Sequence, residues 1–123
     1  MRGSKVVLVI DDDQDVRETT ADAVQATGRQ ALTARDGGEA LALLDAPNFP
    51  RPCVILCDWW MSPMDGAEFL RRLMARPDAA HFSVVVVTGS IPAEDGASMR
   101  GVVGILPKPF EFEDLVQALD EHC

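Results

Sequence analysis

Residues 53–58 read CVILCD, a run of five apolar side chains that ends at a carboxylate. A run without polar alternation is typical of a strand buried on both faces of a parallel sheet. Residues 83–87, SVVVV, show nearly the same pattern. We predict strands at Cys53–Cys57 and Ser83–Val87, and three further apolar runs complete the set: Val6–Ile10, Gln30–Ala34 and Val102–Leu106.

Segments with helical spacing of apolar residues separate these strands. Their faces are marked by Val16, Thr20, Ala23, Val24 and Thr27, by Ala40, Leu41 and Leu44, by Phe69, Leu70, Leu73 and Met74, and by Phe112, Leu115, Val116 and Leu119. Gly28 is the candidate C-cap of the first helix, and Asp65 is the candidate N-cap of the third. Residues 91–101, IPAEDGASMRG, have little apolar periodicity, so we expect a short or partly unwound helix there.

The alternation of strands and helices predicts a single α/β domain. Such units form right-handed parallel crossovers, so we expect a doubly wound, five-stranded parallel sheet with helices on both faces. At 123 residues the chain is long enough to bury one such core. We assign residues 5–123 to this domain and residues 1–4 to a short N-terminal tail.

Charge and hydropathy argue against several classes of function. The formal net charge of −9 argues against nucleic acid as a partner, because its phosphates would be repelled. No apolar run approaches the roughly 20 residues that span a bilayer. The first 13 residues, MRGSKVVLVIDDD, lack the pattern of a secretory signal. We therefore expect a cytoplasmic protein that binds neither nucleic acid nor membrane.

The three cysteines have an odd count and no metal-ligand spacing. Cys53 and Cys57 lie in an apolar run, so we expect both to be small core residues. Cys123 is the last residue given, and we expect it to be exposed. The sequence therefore predicts no disulfide framework.

The second predicted strand is followed by Arg35 and Asp36, to which we assign no role, and candidate functional residues follow the other four strands. They are Asp11, Asp12 and Asp13 after the first, Asp58 after the third, Thr88 and Gly89 after the fourth, and Pro107, Lys108 and Pro109 after the fifth. Ligands of a doubly wound sheet bind outside the carboxyl ends of its strands. Each piece also has an ordinary structural interpretation, since acidic runs make turns and helix caps and a lysine between prolines can be a solvated loop charge.

Clustered carboxylates raise one another's pKa values unless a cation lies among them. Oxygen ligands suit Mg²⁺, which commonly binds phosphate oxygens as well. A lysine and a threonine hydroxyl opposite the metal would hold the other oxygens of a phosphoryl group, and a carboxylate would serve as the nucleophile. Taken together, the pieces predict a site for phosphoryl transfer.

Five stretches of the sequence follow one another in the order and near the spacing of the motifs of one protein family: VLVIDDDQDVR, DGGEALALL, DWWMSPMDG, VVVVTG and GILPKPF. With them the sequence resembles the response regulator receiver domains of two-component signalling, including chemotaxis receivers, over nearly its whole length. The resemblance implies the flavodoxin-like strand order 2-1-3-4-5. It also implies a signalling domain that accepts a phosphoryl group from a histidine kinase or histidine phosphotransfer protein and thereby changes its affinity for a downstream protein.

The resemblance implies a role for each candidate residue. Asp58 would be the phosphoacceptor. Asp12 would be a direct Mg²⁺ ligand and Asp11 would act partly through water, while the main-chain carbonyl of Trp60 would complete the protein's share of the coordination. Thr88 would bind a phosphoryl oxygen, and Lys108 would pair first with Asp58 and then with the phosphate.

The sequence departs from the family pattern in four places. Ile105 stands three residues before Lys108, where the family has an aromatic switch residue, so Thr88 cannot signal through a ring. Pro63 is displaced by one position, and the bulky Trp60 lies beside the path of water to the phosphate, from which we expect slower hydrolysis. The helix expected at 91–101 is weak, which counts against partner docking through that surface.

Two other functions are alternatives to this one. A degenerate receiver would be a constitutive protein-binding module. Ile105 leaves room for it, but the intact Asp58, Thr88 and Lys108 count against it. A phosphatase of the haloacid dehalogenase type also uses aspartate and Mg²⁺. It needs a second aspartate two residues after the nucleophile, and that position holds Trp60.

Overall fold

Strands and helices alternate along the described parts of the chain. The computed structural model describes residues 5–89 and 99–123. The strands are β1 (Val6–Ile10), β2 (Gln30–Ala34), β3 (Val54–Asp58), β4 (Val84–Thr88) and β5 (Val102–Pro107). The helices are α1 (Gln14–Ala26), α2 (Gly37–Asp45), α3 (Gly66–Met74) and α4 (Phe112–His122), and a short 3-10 turn spans Ala79–His81.

The five strands form one parallel sheet in the order β2-β1-β3-β4-β5, as predicted. Every residue of β1, β3 and β4 is buried, whereas the edge strands β2 and β5 are only partly buried. β2 lies on one side of β1, and β3 lies on the other, so the strand order reverses at β1. The carboxyl ends of β1 and β3 therefore lie side by side at the topological switch point.

The core lies on both faces of the sheet because successive strand residues point to opposite sides. On one face, Leu8 and Ile10 pack with residues of α2 and α3, including Ala40 and Phe69. The opposite face carries a second cluster: Val7, Val9, Val24 of α1, and Leu115 and Leu119 of α4. Helices therefore cover both faces, as the apolar pattern predicted.

One predicted helix cap is confirmed, and the other lies one residue earlier than predicted. The Asp65 carboxylate accepts a hydrogen bond from the Glu68 N–H at 2.8 Å and is the N-cap of α3. Gly28 follows the C-cap Thr27 of α1 with φ of 88°, a conformation that favours glycine.

The strands β3, β4 and β5 extend one residue beyond their predicted ends. Asp58 pairs with Val87, and Thr88 pairs with Pro107, in the register of the sheet. Backbone groups make the ladder, so a polar side chain does not end it. Asp58 and Thr88 are consequently the last residues of their strands, not the first residues of the following loops.

The prediction for the cysteines was right for one residue and wrong for two. Cys57 is a buried free thiol in β3. Cys53 and Cys123 are joined by a disulfide, with their Cα atoms 4.9 Å apart and a sequence separation of 70. The fold returns α4 to the start of β3, and a pairing over that distance leaves no local signal in the sequence.

Two expectations concern residues that the structure does not describe. Residues 1–4, assigned to a tail, and residues 91–98, most of the weak helical segment, lie outside the described residues. Among the helices of residues 5–89 and 99–123, none has the length and apolar character of a bilayer span.

Candidate functional site

Three aspartates meet at the carboxyl ends of β1 and β3. Asp11 and Asp12 directly follow β1, and Asp58 is the last residue of β3, which is the neighbour of β1 in the sheet. One carboxylate oxygen from each of the three lies within 4.8 Å of the others. Asp11 and Asp58 are buried, at 4% and 7% exposed, while Asp12 is exposed. The structure thus brings together the three carboxylates that the sequence singled out.

Lys108 reaches this group from the end of β5. Its Nζ donates to Asp11 Oδ2 at 3.1 Å and to Asp58 Oδ1 at 3.3 Å. Its backbone N–H donates to the Thr88 carbonyl at 2.7 Å, so the end of β4 fixes the start of the lysine side chain. The ammonium group therefore lies between the two buried carboxylates.

The electrostatics of the site favour a second cation. Burial, and then the charge of Asp11, raise the pKa of Asp58, and the nearby ammonium of Lys108 only partly opposes this. Burial by itself would lower the pKa of Lys108, but the hydrogen bond to Asp11 and the charge of Asp58 outweigh it, so that pKa is raised and the lysine stays protonated. Three carboxylates face this one ammonium group, which leaves negative charge in excess.

The donor set fits a hard divalent cation. Asp11, Asp12 and Asp58 offer carboxylate oxygens at the separation that ligands of one ion have, and Mg²⁺ prefers oxygen ligands. Asp12 is exposed, so water would reach the remaining coordination positions. These three carboxylates could hold the metal.

Thr88 and Ile105 occupy different parts of the sheet. Thr88 ends β4 and is 1% exposed, and its carbonyl holds Lys108 as described above. Ile105 lies inside β5 opposite Val86, and its partly buried side chain packs against the core cluster of Leu8 and Phe69. Thr88 is therefore at the carboxyl edge of the sheet, whereas Ile105 contributes to the core below it.

The loop after Asp58 separates its two tryptophans. Trp59 is buried in the core, and its N–H continues the ladder to the Val87 carbonyl at 3.2 Å. Trp60 is 59% exposed, more than the other exposed large apolar residues of the described chain, Val103 and Phe112. The Trp60 ring is therefore exposed to solvent, two residues after Asp58 at the end of β3.

Two backbone contacts at the site were not predicted. The Ser62 N–H donates to Asp12 Oδ2 at 3.2 Å and so ties the loop to the acidic pair. The Gly66 N–H donates to the Trp59 carbonyl at 2.8 Å, and a Cβ on Gly66 would lie 2.9 Å from Trp59 Cα. The glycine directly after the predicted N-cap was a signal for this close approach; the Ser62 contact has none, because any residue except proline supplies the N–H.

Comparison with known proteins places this geometry in a family. The family model described as the response regulator receiver domain matches residues 7–120. The response regulator MprA of Mycolicibacterium vanbaalenii is 33% identical over 110 residues, covering 89% of this chain and 46% of MprA. MprA of Mycobacterium avium is 32% identical over 110 residues, with 89% and 47% covered. The chain thus spans about half the length of these relatives.

Solved structures give the same result. The chemotaxis protein CheY4 of Vibrio cholerae has a TM-score of 0.86 at 29% identity, with 98% of this chain and all of that chain covered. A response regulator receiver protein of Pseudomonas putida has a TM-score of 0.86 at 28% identity, with 98% and 99% covered. On sequence, fold and the arrangement of its acidic residues, the chain belongs to the response regulator receiver domain family.

Proposed function

We propose that residues 5–123 form a single receiver domain that accepts a phosphoryl group on Asp58 in a Mg²⁺-dependent reaction. The donor is a phosphohistidine of a histidine kinase or of a histidine phosphotransfer protein. The observation that carries the proposal is the contact of Lys108 with both Asp11 and Asp58. These two carboxylates belong to a group of three whose oxygens lie within 4.8 Å of one another, close enough to bind one ion.

The transfer exchanges one bond to phosphorus for another. An Asp58 carboxylate oxygen attacks the phosphorus, the phosphorus–nitrogen bond to the donor histidine breaks, and an acyl phosphate forms while the histidine takes up a proton. Asp11, Asp12, Asp58 and the main-chain carbonyl of Trp60 would hold a Mg²⁺ ion, which would supply charge neutralisation for the phosphoryl oxygens.

The chain's own residues hold the product in place. Lys108 exchanges its contact with the Asp58 oxygen for one with a phosphoryl oxygen, keeping its charge beside the group. The Thr88 hydroxyl binds another phosphoryl oxygen, and its movement is the start of the conformational switch. Ile105 occupies the aromatic switch position, so the switch proceeds by a change in aliphatic packing against the core.

The domain acts as a signalling module whose own chemistry is limited to gaining and losing the phosphoryl group. It works in the cytoplasm, and its phosphorylated form has a changed affinity for a downstream protein. Nucleic acid and membrane are not partners of this domain, in keeping with the net charge of −9.

A fluorescence titration tests the proposal. Trp59 follows the acceptor in the chain and reports on its surroundings, so we expect Mg²⁺, and then beryllofluoride as a stand-in for the phosphoryl group, to change tryptophan fluorescence with saturation. Asp58→Asn is the matched control and should lose the beryllofluoride response. No response in the unsubstituted protein would favour a constitutive binding module, and repeated turnover of phosphate esters would favour a phosphatase.

A further inference from the structure

The disulfide lies at the amino ends of the strands, whereas the acidic group lies at their carboxyl ends. Cys53 directly precedes β3, and Asp58 ends that strand, which places the two residues about 16 Å apart at ~3.3 Å per residue. Cys123 directly follows the last residue of α4. The bond therefore ties the end of α4 to the amino edge of the sheet, away from the carboxylates.

Both cysteines are held by contacts that do not depend on the bond between them. The Cys53 N–H donates to the Val6 carbonyl, and the Cys123 N–H donates to the Leu119 carbonyl, each at 2.8 Å. The fully buried side chains of Leu115 and Leu119 fix α4 against the sheet. A reduced pair would thus stay folded, with the two thiols still adjacent.

The surroundings of the pair suit a reversible reaction. Cys53 and Cys123 are both partly exposed, so a small thiol reagent can reach them. The Cys53 sulfur lies 3.3 Å from the Val6 carbonyl oxygen, to which a reduced thiol can donate. Cys57 differs, because burial foremost, and then the charge of Asp58, raise the pKa of its thiol and keep it unreactive.

We propose that Cys53 and Cys123 form a reversible thiol–disulfide switch that responds to small disulfides of the glutathione class and acts independently of the phosphoacceptor function proposed above. This inference rests on the cytoplasmic location proposed above, because disulfides of cytoplasmic proteins are usually transient or redox-sensing. The Cys123 thiolate attacks one sulfur of the oxidised glutathione and releases one glutathione thiol. The Cys53 thiolate then attacks the Cys123 sulfur of the mixed disulfide and releases the second. Two cysteines are oxidised, one glutathione disulfide is reduced to two thiols, and the two protons pass to the departing glutathione.

Oxidation stabilises the attachment of α4 to the sheet. The bond closes a loop across 70 positions of sequence, which restricts the unfolded chain far more than the folded one. The switch would therefore raise thermal stability and slow the opening of α4 while leaving the acidic group unchanged.

The test compares the purified protein after equilibration with reduced or oxidised glutathione under native conditions. We expect alkylation and mass spectrometry to find Cys53 and Cys123 blocked only after oxidation, and the bond to be removed again by reduced glutathione. The oxidised form should melt roughly 5–15 °C higher than the reduced form. Hydrogen exchange in α4 should be slower in the oxidised form.

Two variants keep the test decisive. Cys123→Ser and Cys53→Ala should each melt at the same temperature in both buffers, and either one serves if the other folds poorly. The proposal is overturned if the unsubstituted protein forms no bond with oxidised glutathione, or if its bond yields to reduced glutathione only after unfolding. None of these measurements involves Asp58, so their failure would leave the proposed phosphoacceptor function untouched.

Discussion

At the scale of single residues, one ammonium group only partly offsets the charge of the buried carboxylates in the site. Asp11 and Asp58 are both buried, and Lys108 contacts both, yet the pKa of Asp58 remains raised by burial and by Asp11. An ionised Asp58 therefore costs stability in the absence of a metal. This cost gives the three carboxylates an affinity for a divalent cation. In the proposed function, the Asp58 carboxylate is also the nucleophile, placed at the end of β3.

Asp58→Asn is expected to raise the melting temperature in chelator-treated buffer at pH 7. Because the pKa of Asp58 is higher in the folded than in the unfolded protein, its charge destabilises the fold at pH values above the folded pKa and not below the unfolded one. The advantage of the variant should therefore shrink as pH falls through the raised pKa. Thermal melts between pH 7 and pH 4 provide the measurement.

The control for that experiment is Asp12→Asn. Asp12 is exposed, so solvent and salt screen its charge and the gain should be smaller. A variant Asp58→Asn that is less stable than the unsubstituted protein at pH 7 without metal would contradict the account.

Lys108→Met is expected to destabilise the metal-free protein by about 3 kcal/mol or more, because hydrogen bonds to charged groups contribute roughly 1.5–3 kcal/mol each and two are lost. Part of that loss is repulsion between Asp11 and Asp58. The same substitution should cost less in an Asp58→Asn background, and urea denaturation of the four proteins measures the difference. Equal losses in both backgrounds would show that the lysine does not neutralise this pair.

At the scale of elements, the strand ends and helix starts are what place the functional groups. β3 carries Asp58 into its last ladder position, and α3 begins eight residues later with Gly66 packed against the strand end. The Ser62 N–H on Asp12 fixes the loop between them. The position of Asp58 is thus fixed by backbone contacts of its own strand, of the following loop and of the next helix.

Gly66→Ala is expected to destabilise the protein by about 1–3 kcal/mol, because the new Cβ would lie 2.9 Å from the backbone of Trp59, which cannot move without shifting the end of β3. The same shift should weaken Mg²⁺ binding several-fold. Denaturation and Mg²⁺ titration by tryptophan fluorescence measure the two effects.

Gly38→Ala is the matched control. Gly38 is an exposed helical residue whose new Cβ would meet only the Asp36 side chain at 3.3 Å, so the change in stability should stay within about 0.5 kcal/mol. Similar effects from the two substitutions would argue against a special role for the contact between α3 and β3.

At the scale of the whole molecule, the fold could be predicted because its signals are local. Two all-apolar runs identified the central strands, helical spacing identified the covering helices, and polar residues at the strand ends identified the site. Asp58 and Lys108 are 50 residues apart in sequence, yet the parallel topology predicted that they would meet.

Other features could not be predicted, for reasons that lie in the folded state. The Cys53–Cys123 bond depends on where α4 returns to the sheet. The separation of buried Trp59 from exposed Trp60 depends on a loop whose course is set by contacts with Gly66 and Asp12. Neither feature has a spacing or a composition that the sequence alone would reveal.

The central claim is that Asp58 accepts a phosphoryl group with the help of Mg²⁺, and intact-protein mass spectrometry after incubation with acetyl phosphate tests it most directly. We predict a mass increase of one phosphoryl group that requires Mg²⁺, maps to the peptide containing Asp58 and is absent from Asp58→Asn. An unchanged mass in the presence of Mg²⁺, or an equal increase in Asp58→Asn, would contradict the claim.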